Sequence, residues 1–354
     1  MRLFYINKFK ELSGTLFLFD NNVWLFSHNI KRFSMKNAIK LQAIQRIAGI
    51  IAIVAVITIG FVTCDNGSGG DSSGPGHTPA WKEIAPSMVS IPGGSVYMEN
   101  AENSFDNYTA TLSSYRMSKY QVTQAQYESV MKYNPSFYQG ALRPPSTGEV
   151  QEKRPVEQVS WYDAILFCNL LSLLEGLTPA YSVKRGGTEI DWATTVTPKD
   201  FDADWDAATI NAGSNGYRLP TEAQWEYAAR AGSTGDFSIG VGGTEVTELN
   251  LFDYAWFYGN NAIKTHEVGK KLPNAYGIYD MHGNVYEWCW DWYDYYPASA
   301  QTDYTGPSTD YGMNRVSRGG AYFDTSEQLV SSFRSSIEMP PNRTEYRGFR
   351  LACP

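Results

Sequence analysis

Along most of this 354-residue chain the apolar positions come in short bursts broken by Gly, Asn, Trp and Tyr, a pattern that predicts short strands, long irregular segments and few helices. Three helix starts are well signalled. Thr123 with Gln126 opens TQAQYESVM, Ser160 opens WYDAILFCNLLSLLEG, and Thr221 with Gln224 opens TEAQWEYAARA. Each hydroxyl can accept the orphan amides of a first turn, and two of the three have the Gln of a capping box. Gly176 and Gly232 stand where a left-handed residue would end two of these helices. In the second helix Trp161, Ile165, Phe167, Cys168, Leu171 and Leu174 crowd an apolar side, so Cys168 reads as a small buried hydrophobe.

Residues 47–62, IAGIIAIVAVITIGFV, form an apolar run that follows Lys36, Lys40 and Arg46 and ends at Thr63-Cys64. A charged region, an apolar stretch and a cysteine at the cleavage position read as a lipoprotein signal peptide over 35–63, with Cys64 as the lipidated residue. The competing reading is an uncleaved membrane anchor, for which this run is slightly short. Residues 1–34 precede a second methionine, Met35, and read as an upstream extension or mis-assigned start. Residues 64–80, rich in Gly, Ser and Asp, suit a flexible tether. One large domain then spans 81–354. This organisation places the protein at the cell envelope, on its outer surface, held to the membrane by lipid.

Composition and charge narrow the function. The chain is 14% aromatic, with 10 Trp, 24 Tyr and 31 Gly, which suits a folded domain rather than disorder. Its net charge is −8, and residues 1–63 carry eight Lys and Arg against only Glu11 and Asp20, so the excess acid lies in the domain. A nucleic-acid partner is excluded, since phosphate binding needs concentrated positive charge. Besides Cys64 there are three cysteines, Cys168, Cys289 and Cys353, an odd number that implies no disulfide framework. His266 and His282 lack the paired spacing of a catalytic metal centre.

Five segments occur in a telling order: IPGGSVYM at 91–98, YRMSKYQVTQAQYESVM at 115–131, RPVEQVSWYDAILFCNLLS at 154–172, GYRLPTEAQWEYAARAG at 216–232 and NAYGIYDMHGNVYEWCWDWY at 274–293. In this order they resemble the formylglycine-generating-enzyme, or sulfatase-modifying-factor, family over essentially all of 88–354. The resemblance implies an α+β C-type lectin fold with little regular secondary structure and many long loops. It also implies a calcium site to which Asn284 and Glu287 of GNVYEW contribute with backbone carbonyls, and hard oxygen ligands suit that ion. The residues themselves leave a structural alternative open, a left-handed turn at Asn284 and a Glu287 that satisfies neighbouring amides. No cofactor is otherwise required.

The family's two redox cysteines would follow the strand RVSRGGA at 315–321, and the matching positions are Asp324 and Leu329. Neither side chain forms a thiolate or holds copper, so the resemblance implies a scaffold without the thiol oxidation chemistry and no catalytic residue. Between Gly320 and Arg347 lie Tyr322, Phe323, Asp324, Phe333, Ser335, Ser336, Ile337, Thr344 and Tyr346, and the segment resembles the variable region of diversity-generating-retroelement proteins, the lipoprotein type described from Treponema. There, adenine-directed mutagenesis of Asn codons diversifies surface residues; such codons cannot become Glu, Gln or Met, so Glu327, Gln328, Glu338, Met339 and Glu345 read as fixed scaffold. Rigid aromatics with small hydroxyl residues suit ligand binding. The nine are therefore expected on one solvent-facing surface of a monomer, bound to a protein or other surface ligand. A non-thiol enzyme, an inactive relative of the family and a structural envelope component are the competing classes.

Overall fold

The computed structural model describes residues 85–101, 103–260, 263–308, 313–335 and 338–354. The expected signal peptide, Cys64 and the tether lie outside the described residues, as do Ser336 and Ile337. Within the described residues the architecture is α+β, with small sheets, few helices and long irregular connections, and no helix is long and apolar enough to cross a membrane.

Among the described residues, three of the sheets are three-stranded, beside two small two-stranded ones. Strand β1 (Met88–Ile91) and the terminal β9 (Ala352–Cys353) pair antiparallel with opposite edges of β4 (Tyr115–Ser118). A longer hairpin, β2 (Gly94–Asn100) with β3 (Asn103–Leu112), takes β6 (Gln301–Thr302) in parallel along its other edge. The third sheet centres on β5 (Tyr286–Trp292), whose seven residues are all buried. One edge of β5 holds β7 (Arg315–Arg318) antiparallel and the other holds β8 (Arg347–Gly348) in parallel. The carboxyl-terminal segment thus leaves one side of β5 and returns on the other, over the tip of the sheet.

All three expected helices form where the hydroxyls stand. They are α1 (Gln124–Met131), α2 (Trp161–Leu174) and α3 (Glu222–Arg230), capped by Thr123, Ser160 and Thr221. Each has a reciprocal capping box; that of α2 uses Asp163, a partner the sequence reading missed. Gly176 follows α2 with φ of 70° as expected, whereas after α3 the left-handed turn begins at Ala231, one residue before Gly232. α2 is apolar nearly all round and is buried accordingly, its Trp161, Ile165, Phe167 and Cys168 packing in one cluster with Tyr127, Trp288 and Phe349. A second cluster joins α3 to β2, β3 and Cys289. Cys168, Cys289 and Cys353 are free and buried.

The core is also charged. Arg154, Arg315, Arg318, Arg347 and Arg350 are among the largest fully buried side chains. Long irregular segments leave many backbone groups to satisfy, and these guanidinium groups do much of it, as where Arg154 donates to the carbonyls of Arg143 and Thr265 at 3.0 and 2.9 Å.

Candidate functional site

The segment between β7 and β8 is held by arginines, each set on a carboxylate. Arg318 donates to Glu226, both fully buried, and Arg334 grips both oxygens of Glu222 at 2.6 and 2.9 Å. Arg343 takes both oxygens of Asp163 at 2.8 and 3.1 Å, Arg347 pairs with Glu338 at 2.7 Å, and Arg350 grips Glu287 at 2.5 and 2.7 Å. Paired, planar donors suit carboxylates and fix orientation as well as position. Burial opposes the charge on Arg334, but Glu222 beside it holds the guanidinium firmly ionised. Burial acts in the same direction on Arg347 but prevails there, so its pKa is lowered although Glu338 partly restores it.

Between these anchors a row of rings forms. Phe137 meets Tyr138 at 5.1 Å between centroids, Tyr138 meets Tyr322 at 5.3 Å, Tyr322 meets Phe323 at 5.2 Å and Phe323 meets Tyr346 at 5.0 Å, each pair nearly perpendicular. Tyr346 continues to Tyr286 at 6.3 Å. Edge-to-face geometry of this kind stabilises each pair by about 0.5–1.5 kcal/mol and fixes ring orientation. The Tyr138 and Tyr322 hydroxyls lie 2.8 Å apart, and Tyr138 also reaches the carbonyl of Ile263 at 3.2 Å. Asp324 accepts from the Ala321 amide at 2.8 Å and hydrogen-bonds the Tyr286 hydroxyl; burial nevertheless raises its pKa. Glu157 accepts from the Phe137 and Tyr138 amides at 2.9 Å each, and burial pushes it to about 7 despite those bonds.

The structure brings together four of the nine expected contact residues, Tyr322, Phe323, Asp324 and Tyr346, in this row. Their exposure differs. Phe323 is 38% exposed, Asp324 and Tyr346 are half-buried, and Tyr322 is buried at 4%. The expectation of a uniformly solvent-facing set needs correcting for Tyr322 and Ser335. The Tyr322 ring is covered by its neighbours in the row, and Ser335 bridges Ser317 of β7, its amide on the Ser317 carbonyl at 3.0 Å. Half-buried Phe333 follows the turn from Val330 and its carbonyl accepts from Arg318. Thr344 is also half-buried, its carbonyl on the Gln158 amide. Of the expected scaffold residues, Glu338 is buried and paired with Arg347, whereas Met339 is 40% exposed. Sequence reasoning missed Phe137, Tyr138 and Tyr286; the pair Phe137-Tyr138 in a polar loop was the available signal.

Residues 77–353 match the family described as the sulfatase-modifying factor enzyme 1-like domain. The chain belongs to this family. The chaperone protein LppX of Paenibacillus barcinonensis is 35% identical over 267 residues, 72% of this chain and 85% of that protein. The formylglycine-generating enzyme of Streptomyces coelicolor is 36% identical over 162 residues, 42% of this chain and half of that enzyme. Among solved structures, Treponema denticola variable protein 1 superposes with a TM-score of 0.69 at 41% identity, covering 75% of this chain and 94% of that one. The fold is therefore of the formylglycine-generating-enzyme and variable-protein type.

Against this family background, position 329 is occupied by Leu329 packed fully buried with Phe237, Val246, Leu251 and Phe257. Burial pushes the Cys168 and Cys289 thiols upward, away from thiolate character. Both side chains that the resemblance implies as calcium ligands are engaged by protein partners. Asn284 does take the left-handed conformation, φ 64°, but its amide is used by the backbone of His266, accepting from its N–H at 2.9 Å and donating to its carbonyl at 3.1 Å. Glu287 is taken by Arg350, by Trp225 Nε1 at 2.6 Å and by Gln121 Nε2 at 2.9 Å. Its partners are side-chain donors, not the backbone amides that the alternative envisaged. His282 is structural: it accepts from the Ser238 amide and bonds the Leu329 carbonyl at 2.8 Å, and burial lowers it to about 4.

Proposed function

We propose that this chain is a lipid-anchored binding protein of the outer cell surface, its carboxyl-terminal segment carrying diversified ligand contacts on a fixed scaffold. The observation that carries this reading is the aromatic row at the turn between β7 and β8. Its rings come from the segment and from the scaffold, and Phe323 at its open side is 38% exposed while Arg347, 5.4 Å from the Tyr346 ring centroid, is buried in an ion pair with Glu338. Rigid rings held by neighbours bind with little ordering cost. Likeness to a variable protein supports diversification, and Asp324 and Leu329 at the redox positions support binding rather than thiol oxidation.

The test is to sequence the coding region for 315–354 across many cells of one population. Variation is expected at the codons of Tyr322, Phe323, Phe333, Thr344 and Tyr346 and not at those of Arg318, Arg334, Arg343, Arg347 and Arg350. A uniform sequence, or variation spread evenly over both sets, would sink the proposal. A near-identical template repeat beside a reverse transcriptase gene would supply the mechanism.

A further inference from the structure

Gln121 sits just before α1, fully buried, and its side chain crosses the molecule to the GNVYEW turn. There Nε2 lies 3.3 Å from the Asp280 carbonyl, 3.4 Å from that of Gly283, 3.1 Å from that of Val285 and 2.9 Å from Glu287 Oε1. One amide nitrogen is thus the shared neighbour of four oxygens that come from a single eight-residue turn. All four are acceptors, which turns the nitrogen of the amide inward. Arg350 approaches the same group from the other side, its Nη2 2.7 Å from Glu287 Oε1, 3.0 Å from the Tyr279 carbonyl and 3.5 Å from that of Asp280.

We infer that in this chain Gln121 and Arg350 do the work a cation would do at this turn, so that the fold is held without calcium and Gln121 is what keeps the ion out. Charge and room both work against the ion. Calcium requires six or more oxygens at about 2.3–2.6 Å, and its affinity follows the number of charged ligands. Glu287 is the only carboxylate among the four oxygens, and the guanidinium neutralises it. A divalent ion entering here would face a buried arginine and an amide N–H in the same space. Asp280 is the other acid of this turn; its Oδ2 accepts from the Gly269 amide, and its charge faces the same Arg350 guanidinium. The inference stands on this geometry and is independent of the binding proposal.

The experiment is thermal unfolding of the full chain, detergent-extracted, in excess EDTA and in millimolar calcium. Ligand binding to the native state alone raises the midpoint by mass action. The wild type is expected to give superimposable curves. Gln121→Ala, which opens the space among the four oxygens, is expected to unfold at lower temperature in EDTA and to recover in calcium. A calcium-dependent midpoint in the wild type overturns the inference, and so does a Gln121→Ala protein that folds but ignores calcium. Should that variant fail to fold in EDTA, Gln121→Glu replaces it: folding that needs calcium supports the inference, and folding indifferent to calcium overturns it.

Discussion

Truncating Arg334 to alanine tests whether the ion pairs set the conformation of the carboxyl-terminal segment. Arg334 is 4% exposed, donates twice to Glu222 and once to the Asp294 carbonyl at 3.0 Å, and lies over the rings of Tyr296 and Tyr293 at 4.0 and 4.5 Å. Its loss leaves Glu222 with the Tyr296 hydroxyl at 3.2 Å and with Arg318 at 3.6 Å, a distance too long for a good hydrogen bond. Removing one partner of a buried pair costs about 3–5 kcal/mol. With an unfolding entropy near 2 cal/mol/K per residue, a domain of this size loses about 7 °C in midpoint for about 4 kcal/mol. Calorimetry of the full chain reads this directly. Adding Glu222→Gln to Arg334→Ala should return part of the loss, because the uncompensated charge is then gone. A single-variant loss under about 2 °C would refute the claim that this network fixes the segment.

Other outcomes follow from the same geometry. Phe323→Ala with Tyr346→Ala should lower stability by only about 1–2 kcal/mol in total, since both rings are partly in solvent; unfolding at room temperature would mean the row is core. Gly283→Ala should cost roughly 3 kcal/mol or more by denaturant titration, because φ is 93° and a Cβ would stand 2.1 Å from the Trp256 carbonyl. Asp291 is pushed to about 7 by burial and then by the neighbouring Glu222, so the fold holds a proton there that the unfolded chain releases near its ordinary value. Its contribution is greatest in acid and disappears as pH rises through about 7. Asp291→Asn should therefore gain on the wild type as pH rises from 4 towards 8, and a constant difference in melting midpoint would contradict this. Cys64→Ala should abolish labelling by palmitate, and full label in the variant would remove the lipid anchor.

Much of the scaffold was legible because its signals are local. Thr123, Ser160 and Thr221 each announce a helix within three residues, and the apolar faces of 161–174 say that this helix is buried. The frame RVSRGG marked the strand that flanks the central sheet. The site was less legible because its contacts join residues far apart. Tyr138 meets Tyr322 across 184 positions, and Gln121 reaches Glu287 across 166. No periodicity carries such pairings. Ser335 was misjudged for the same reason: a small hydroxyl residue reads as surface, and only its bridge to Ser317 shows that it lies against a strand.

The arginines have a consequence for exchange between relatives. Four of them dock on acids that lie outside the segment, at Glu226, Glu222, Asp163 and Glu287, while Arg347 closes on Glu338 within it. A copy of 315–354 is thus portable as a cassette only between hosts that offer those four carboxylates. In a host lacking one of them the graft would arrive with a stranded guanidinium, however well its contact residues suited the ligand. Compatibility between cassette and host is written in four acids, none of which belongs to the binding face.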